Sequence, residues 1–115
     1  MNIEALSAWG YTEAMAMGSS AETQARVFAA LGDPMRVRFV LELAGDAEKT
    51  ASEIAGALGI SLALLCHHGK ILVDAGVVTK RKEAQTSYYR ANCGVLEESL
   101  REVMGRGAAT AAPIR

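Results

Sequence analysis

Residues 50–76 read TASEIAGALGISLALLCHHGKILVDAG, and the punctuation inside this stretch decides the fold. Thr50-Ala51-Ser52-Glu53 is a capping box, in which the threonine hydroxyl and the glutamate carboxylate each accept a backbone N–H that a helix start leaves without a partner. A short helix is expected from there to about Leu58. Gly59 supplies a C-cap, Ile60 turns inward and Ser61 caps the next helix, so only about three residues separate the two. That spacing is a helix-turn-helix. The second helix is predicted from Leu62 to about Ala75, closed by Gly76.

Projected on a helical wheel, Leu64, Leu65, His68, Ile71, Leu72 and Ala75 fall on one arc and Ala63, Cys66, His67, Lys70 and Asp74 on another. The first arc reads as core and the second as free. The free face near the start of such a helix is the part that enters a major groove. Ser61, Leu62, Ala63, Cys66, His67 and Lys70 are therefore the candidate DNA contacts of this helix.

Downstream, the strand-like run of residues 77–82, the polar turn Glu83-Ala84-Gln85-Thr86 and the return run of residues 87–91 predict a hairpin. Lys80, Arg81 and Lys82 lie on its first strand and Tyr88, Tyr89 and Arg90 on its return. Lys80, Arg81, Lys82 and Arg90 are candidate phosphate or minor-groove contacts. A helix-turn-helix followed by such a ribbon is a winged helix. After Asn92 a last helix is expected to about Gly105, with Val95, Leu96, Leu100, Val103 and Met104 on one side. Residues 107–115 read as a flexible tail.

Upstream, residues 3–17 are loosely helical, with Trp9 as an anchor, and Gly18-Ser19-Ser20 is a joint. Ser20 can cap a helix carrying Val27, Phe28 and Leu31, which stops at Gly32. Asp33-Pro34 places a capping acid before a proline at the first helical position and opens a helix through Val37, Phe39, Val40, Leu41 and Leu43.

Composition sets the outer limits. One domain is expected from 115 residues, of which 50% are hydrophobic and only 5% aromatic, a balance that favours helix over strand. The fold class expected is mostly α with a small β-hairpin. The net charge is −1, yet residues 61–90 hold five basic side chains against two acidic ones. Positive charge is local. No apolar run approaches the roughly 20 residues that a membrane span needs, and a cytoplasmic location is expected. Cys66 and Cys93 read as free thiols.

These elements taken together resemble the ArsR/SmtB family of winged helix-turn-helix repressors. The resemblance rests on VFAALGDPMRVRFVLELAG, TASEIAGALGIS, CHHGKILVDAGVV and VTKRKEAQTSYYRAN, and covers roughly 60% of the chain. It implies a homodimer on a palindromic operator in double-stranded DNA, released by an inducer that the sequence leaves unknown. It also implies a dimer interface built from residues 1–18 and 93–105, around a helix-turn-helix at residues 50–76 and a wing at residues 77–91.

Departures from the family bear on the sensor. Metal-sensing members often carry Cys-x-Cys before the first helix of the motif, where this chain has Thr50-Ala51-Ser52. Others place Asp and His ligands on the last helix, which here begins Cys93-Gly94-Val95 and contains no His. No metal and no cofactor are expected. Gly69 stands where leucine is usual, and is expected to loosen the recognition helix. Leu62 stands where a polar residue is usual.

Chemistry at Cys66, His67 and His68 is disfavoured by geometry. Consecutive residues on a helix point about 100° apart and cannot converge on one ion or form a nucleophile–base pair. No paired carboxylates, phosphate loop or triad spacing accompany them, so no enzyme is expected. Cys66 and Cys93 are candidate thiol sensors, the alternative being small inert residues. The alternative function is a dimeric winged-helix module for protein interaction with weak or no DNA binding.

Overall fold

Four of the described helices begin where a side-chain oxygen, from Asp33, Thr50, Ser61 or Asn92, replaces a missing backbone acceptor. The computed structural model describes residues 21–105. In chain order these form α1 (Ala21–Ala30), α2 (Pro34–Leu41), β1 (Glu48–Thr50), α3 (Ala51–Leu58), α4 (Leu62–Asp74), β2 (Val78–Glu83), β3 (Thr86–Ala91) and α5 (Cys93–Leu100). A π-helical turn, Arg101–Gly105, follows. The expected N-terminal helix with Trp9 and the tail of residues 107–115 lie outside the described residues.

Asp33 accepts the N–H groups of Met35 at 2.7 Å and Arg36 at 3.3 Å, and Pro34 takes the first helical position of α2. The capping box of α3 is complete. Thr50 Oγ1 accepts the Glu53 N–H at 3.1 Å, and the Glu53 carboxylate accepts the Thr50 N–H at 2.8 Å. Gly59 ends α3 at φ +68°, a left-handed conformation that suits glycine, and Ser61 caps α4 by accepting the Leu64 N–H at 3.1 Å. Across this turn the chain bends by 109°.

The N–H of Met35 is the main reason that the Asp33 carboxyl is held below its ordinary value, with further help from Arg36. Because the folded value is the lower one, the cap's contribution is complete above the ordinary carboxylate range and is lost as pH falls through the folded value. Urea midpoints are expected to drop as pH falls below about 4. Asp33→Asn keeps an acceptor that does not titrate, and should flatten that slope. An unchanged slope would show that the charge of the cap contributes nothing.

The sheet is antiparallel in the order β1-β3-β2. β2 and β3 pair from Val78 opposite Ala91 to Glu83 opposite Thr86, so the wing turns on Ala84-Gln85 alone, with Ala84 at φ +55°. This turn is tighter than the four-residue turn expected. The third strand is an addition to the expected hairpin: β1 sets Glu48 opposite Arg90 and Thr50 opposite Tyr88.

The five helices and the two strands of the wing share one core. Val27 and Ala30 of α1, Phe39 of α2, Ile54 of α3, Leu65 and Leu72 of α4, Val78 and Tyr89 of the sheet and Val95 of α5 are all buried. Tyr89 stands edge-on to Phe39, the ring centroids 5.2 Å apart at 88°. Sequence alone sets this tyrosine among the polar groups of the wing, and it is instead 1% exposed at the centre of the domain.

Arg36 ties three helices together. Its Nε donates to the last carbonyl of α1, Ala30, at 2.6 Å, and its Nη1 reaches His68 Nδ1 at 3.3 Å. A guanidinium only donates, so Nδ1 of His68 is the acceptor and Nε2 carries the proton. His68 is thus hydrogen-bonded at the edge of the core, on the arc of α4 expected to be buried.

Candidate nucleic-acid interface

The exposed side of α4 is set by what its other side buries. Leu65, His68, Gly69 and Leu72 face the core. Two expectations for this helix are corrected. Leu64, assigned to the core arc, is exposed, because the buried face is centred on Leu65 and Leu72 and leaves the first turn open on both flanks. Gly69, expected to loosen the helix, is where the sheet meets it most closely: a Cβ at this position would come within 2.8 Å of the Tyr89 hydroxyl and 3.0 Å of its ring. The missing side chain lets the tyrosine lie against the helix backbone.

Leu62, Ala63, Leu64, Cys66, His67 and Lys70 are exposed on α4, and Ser61 is exposed at its cap. Lys70 holds Asp74 one turn on, at 3.0 Å, in an ion pair open to solvent. Such a pair is weak and yields readily to a stronger anion. The Cys66 thiol neighbours the Tyr89 hydroxyl. Burial first, and then Cys66, push the phenol up to about 12, so it stays protonated and available as a donor. Cys66 and Cys93 are both free and exposed.

The wing cations divide by strand face. Lys80 lies opposite Tyr89 and Lys82 opposite Ser87, on the face of the sheet that carries Tyr89 and turns toward α4; both are exposed. Arg81 lies opposite Tyr88 on the other face. There its guanidinium spans Glu48 at 2.9 Å and Glu83 at 2.8 Å, and sits 4.2 Å from the centre of the Tyr88 ring. That hydrogen bond to Arg81 is the main reason that the Glu48 carboxyl is held below its ordinary range. Arg90 is half-exposed, 4.0 Å from Asp46.

The structure therefore sets the two wing lysines on the sheet face that packs against α4 and ties Arg81 to β1. Sequence reading missed Glu48, whose strand is only three residues long and opens with two poor strand formers, Glu48 and Lys49. It also missed the position of Tyr89, although strict alternation along TSYYRA would have paired Tyr89 with Ala91 and separated both from Tyr88 and Arg90. Among the described residues, no three His, Cys, Asp or Glu side chains form a group able to hold a metal ion.

A short-turn helix pair packed on a three-stranded sheet with a projecting charged ribbon defines a winged helix-turn-helix domain. A helix-turn-helix domain family matches residues 31–81. The transcriptional repressor SdpR of Bacillus subtilis is 38% identical over 74 residues, which span 64% of this chain and 81% of the repressor. An ArsR-like transcriptional regulator from a Rhodococcus species superposes with a TM-score of 0.67 at 32% identity, over 76% of this chain and 82% of that one. A homodimeric winged helix-turn-helix DNA-binding domain from Mycobacterium bovis shares the fold, with a TM-score of 0.63 at 24% identity over 92% of this chain and 97% of its own. The chain belongs to the ArsR/SmtB family of winged helix-turn-helix transcriptional regulators.

Proposed function

We propose that this protein is a homodimeric, sequence-specific DNA-binding repressor acting in the cytoplasm, with α4 in the major groove and the wing along the phosphates. The observation that carries this reading is the exposed face of α4, which bears Lys70, next to a wing whose Lys80 and Lys82 are exposed. Arg81 acts differently from its two neighbours: held between Glu48 and Glu83, it orders the wing and leaves phosphate contact to the lysines and Arg90.

Homodimerisation is supported by Leu100, Val103 and Met104, which leave a run of large apolar side chains exposed at the end of α5 and the turn that follows it. Burying such a strip against a second copy is the economical way to remove it from water. An inducer would act by shifting the dimer between geometries that fit and do not fit successive grooves. Cys66 and Cys93 remain the candidate thiol sensors, and no catalytic step is assigned to any residue.

Fluorescence anisotropy on the protein's own upstream promoter fragment, against scrambled DNA at two salt concentrations, tests the reading. Tight, promoter-selective and salt-sensitive binding is the expected result. Lys70→Ala should weaken binding and lower the salt slope by about 2, one phosphate contact being removed from each half of the dimer. Folding stability should stay within about 0.5 kcal/mol, since only an exposed ion pair is removed. The exposed Leu62 and Leu64 favour the second reading, a protein-interaction module, and absence of DNA binding at low salt would bring it forward.

A further inference from the structure

The major groove distinguishes base pairs by donor and acceptor pairs that Arg, Lys, Asn and Gln read two bonds at a time. Residues 61–74 contain no Arg, Asn, Gln or Glu. The Ser61 hydroxyl accepts the Leu64 N–H and keeps its own O–H to donate, and Lys70 is held to Asp74 only by a pair open to solvent. On this exposed face Ser61, Cys66 and His67 can each offer a base edge no more than a single hydrogen bond, and Lys70, two turns past Leu62, is the one cation.

What the first turn of α4 offers instead is apolar. Leu62 is 50% exposed and Leu64 42%, with the exposed Ala63 between them. Lys70 is exposed two turns further along the same helix, and Lys80 and Lys82 are exposed on the sheet face that packs against α4. A domain that presents both cations and an apolar point complements a polyanion that carries methyl groups in its groove. The apolar group that a DNA base edge presents in the major groove is the C5 methyl of thymine.

We infer that Leu62 and Leu64 are the specificity-determining residues of this regulator, and that they select operator half-sites by packing against thymine methyl groups. The inference rests on the DNA-binding reading above. Ala63, between the two, gives the backbone of the first turn a close approach to the bases, and His67 adds a single polar contact one turn further along.

The test starts with selection of duplexes from a random library by the purified full-length chain, followed by anisotropy on the selected duplex made with thymine or with deoxyuridine. Deoxyuridine keeps the pairing and the O4 acceptor and removes only the methyl. Half-sites enriched in thymine are expected, and affinity should fall about fourfold for each packed methyl group that deoxyuridine removes. Leu62→Ser and Leu64→Ser alter exposed positions and should melt like the parent. Each should bind the thymine duplex more weakly and discriminate less between thymine and deoxyuridine. Equal affinity for the two duplexes, or half-sites without thymine, with salt-sensitive binding intact, would overturn this inference and leave the DNA-binding reading standing. Absence of salt-sensitive binding to any duplex would take down both and leave the apolar turn to a protein partner.

Discussion

Tyr89→Ala is expected to lower the free energy of unfolding by about 3 to 5 kcal/mol, the range for truncating a large buried aromatic side chain. The ring is 1% exposed and packs edge-on to Phe39 of α2. It also lies against the backbone of α4 at Gly69. Three layers meet there, and its strand is held by β1 on one side and β2 on the other. The cavity therefore has little freedom to collapse, because movement of the sheet toward the helices would break pairing on both edges. Tyr89→Phe keeps the packing and removes the hydroxyl beside Cys66, and should cost about 1 kcal/mol. Urea unfolding of the two variants checks both values. A loss below about 1 kcal/mol for Tyr89→Ala would mean that the sheet closes over the gap despite the strands that restrain it on either side.

The same residue shows where sequence reading succeeds and where it stops. Local chemistry is legible: Asp33-Pro34, the Thr50–Glu53 box, Gly59 and Ser61 each specify a helix boundary through bonds within a few residues, and each boundary is found where those residues place it. Long-range geometry is not. The wheel gives the open side of α4 correctly at Ala63, Cys66, His67 and Lys70, but a wheel weighs each apolar residue alike and cannot tell that the core ends before Leu64. Gly69 has low helix propensity when α4 is considered alone. Its reason lies twenty residues away, in the approach of Tyr89. The fate of Arg81 likewise depends on Glu48, 33 positions earlier, brought beside the wing by a strand too short to show in a pattern.

Gly69→Ala turns that contrast into a measurement. Helix propensity alone predicts stabilisation, by up to about 1 kcal/mol for glycine to alanine inside a helix. The structure predicts the opposite sign. The new Cβ would stand 2.8 Å from the Tyr89 hydroxyl oxygen, 3.0 Å from Cε1 and 3.1 Å from Cζ, all closer than normal van der Waals contact. A tyrosine at the surface would swing aside, but this ring is fixed by Phe39 behind it and by strand pairing on both sides. Overpacking of this kind costs about 1 to 3 kcal/mol, which matches or exceeds the propensity gain. A net loss of up to about 2 kcal/mol is expected. In the Tyr89→Phe background the closest of the three atoms is gone, so the same substitution should cost less there, with a remainder from the two ring carbons. A double-mutant cycle measured by urea unfolding reads this coupling directly. Stabilisation by Gly69→Ala in the wild-type background would show that the ring is free to retreat, and that the fit between α4 and the wing is looser than these distances require.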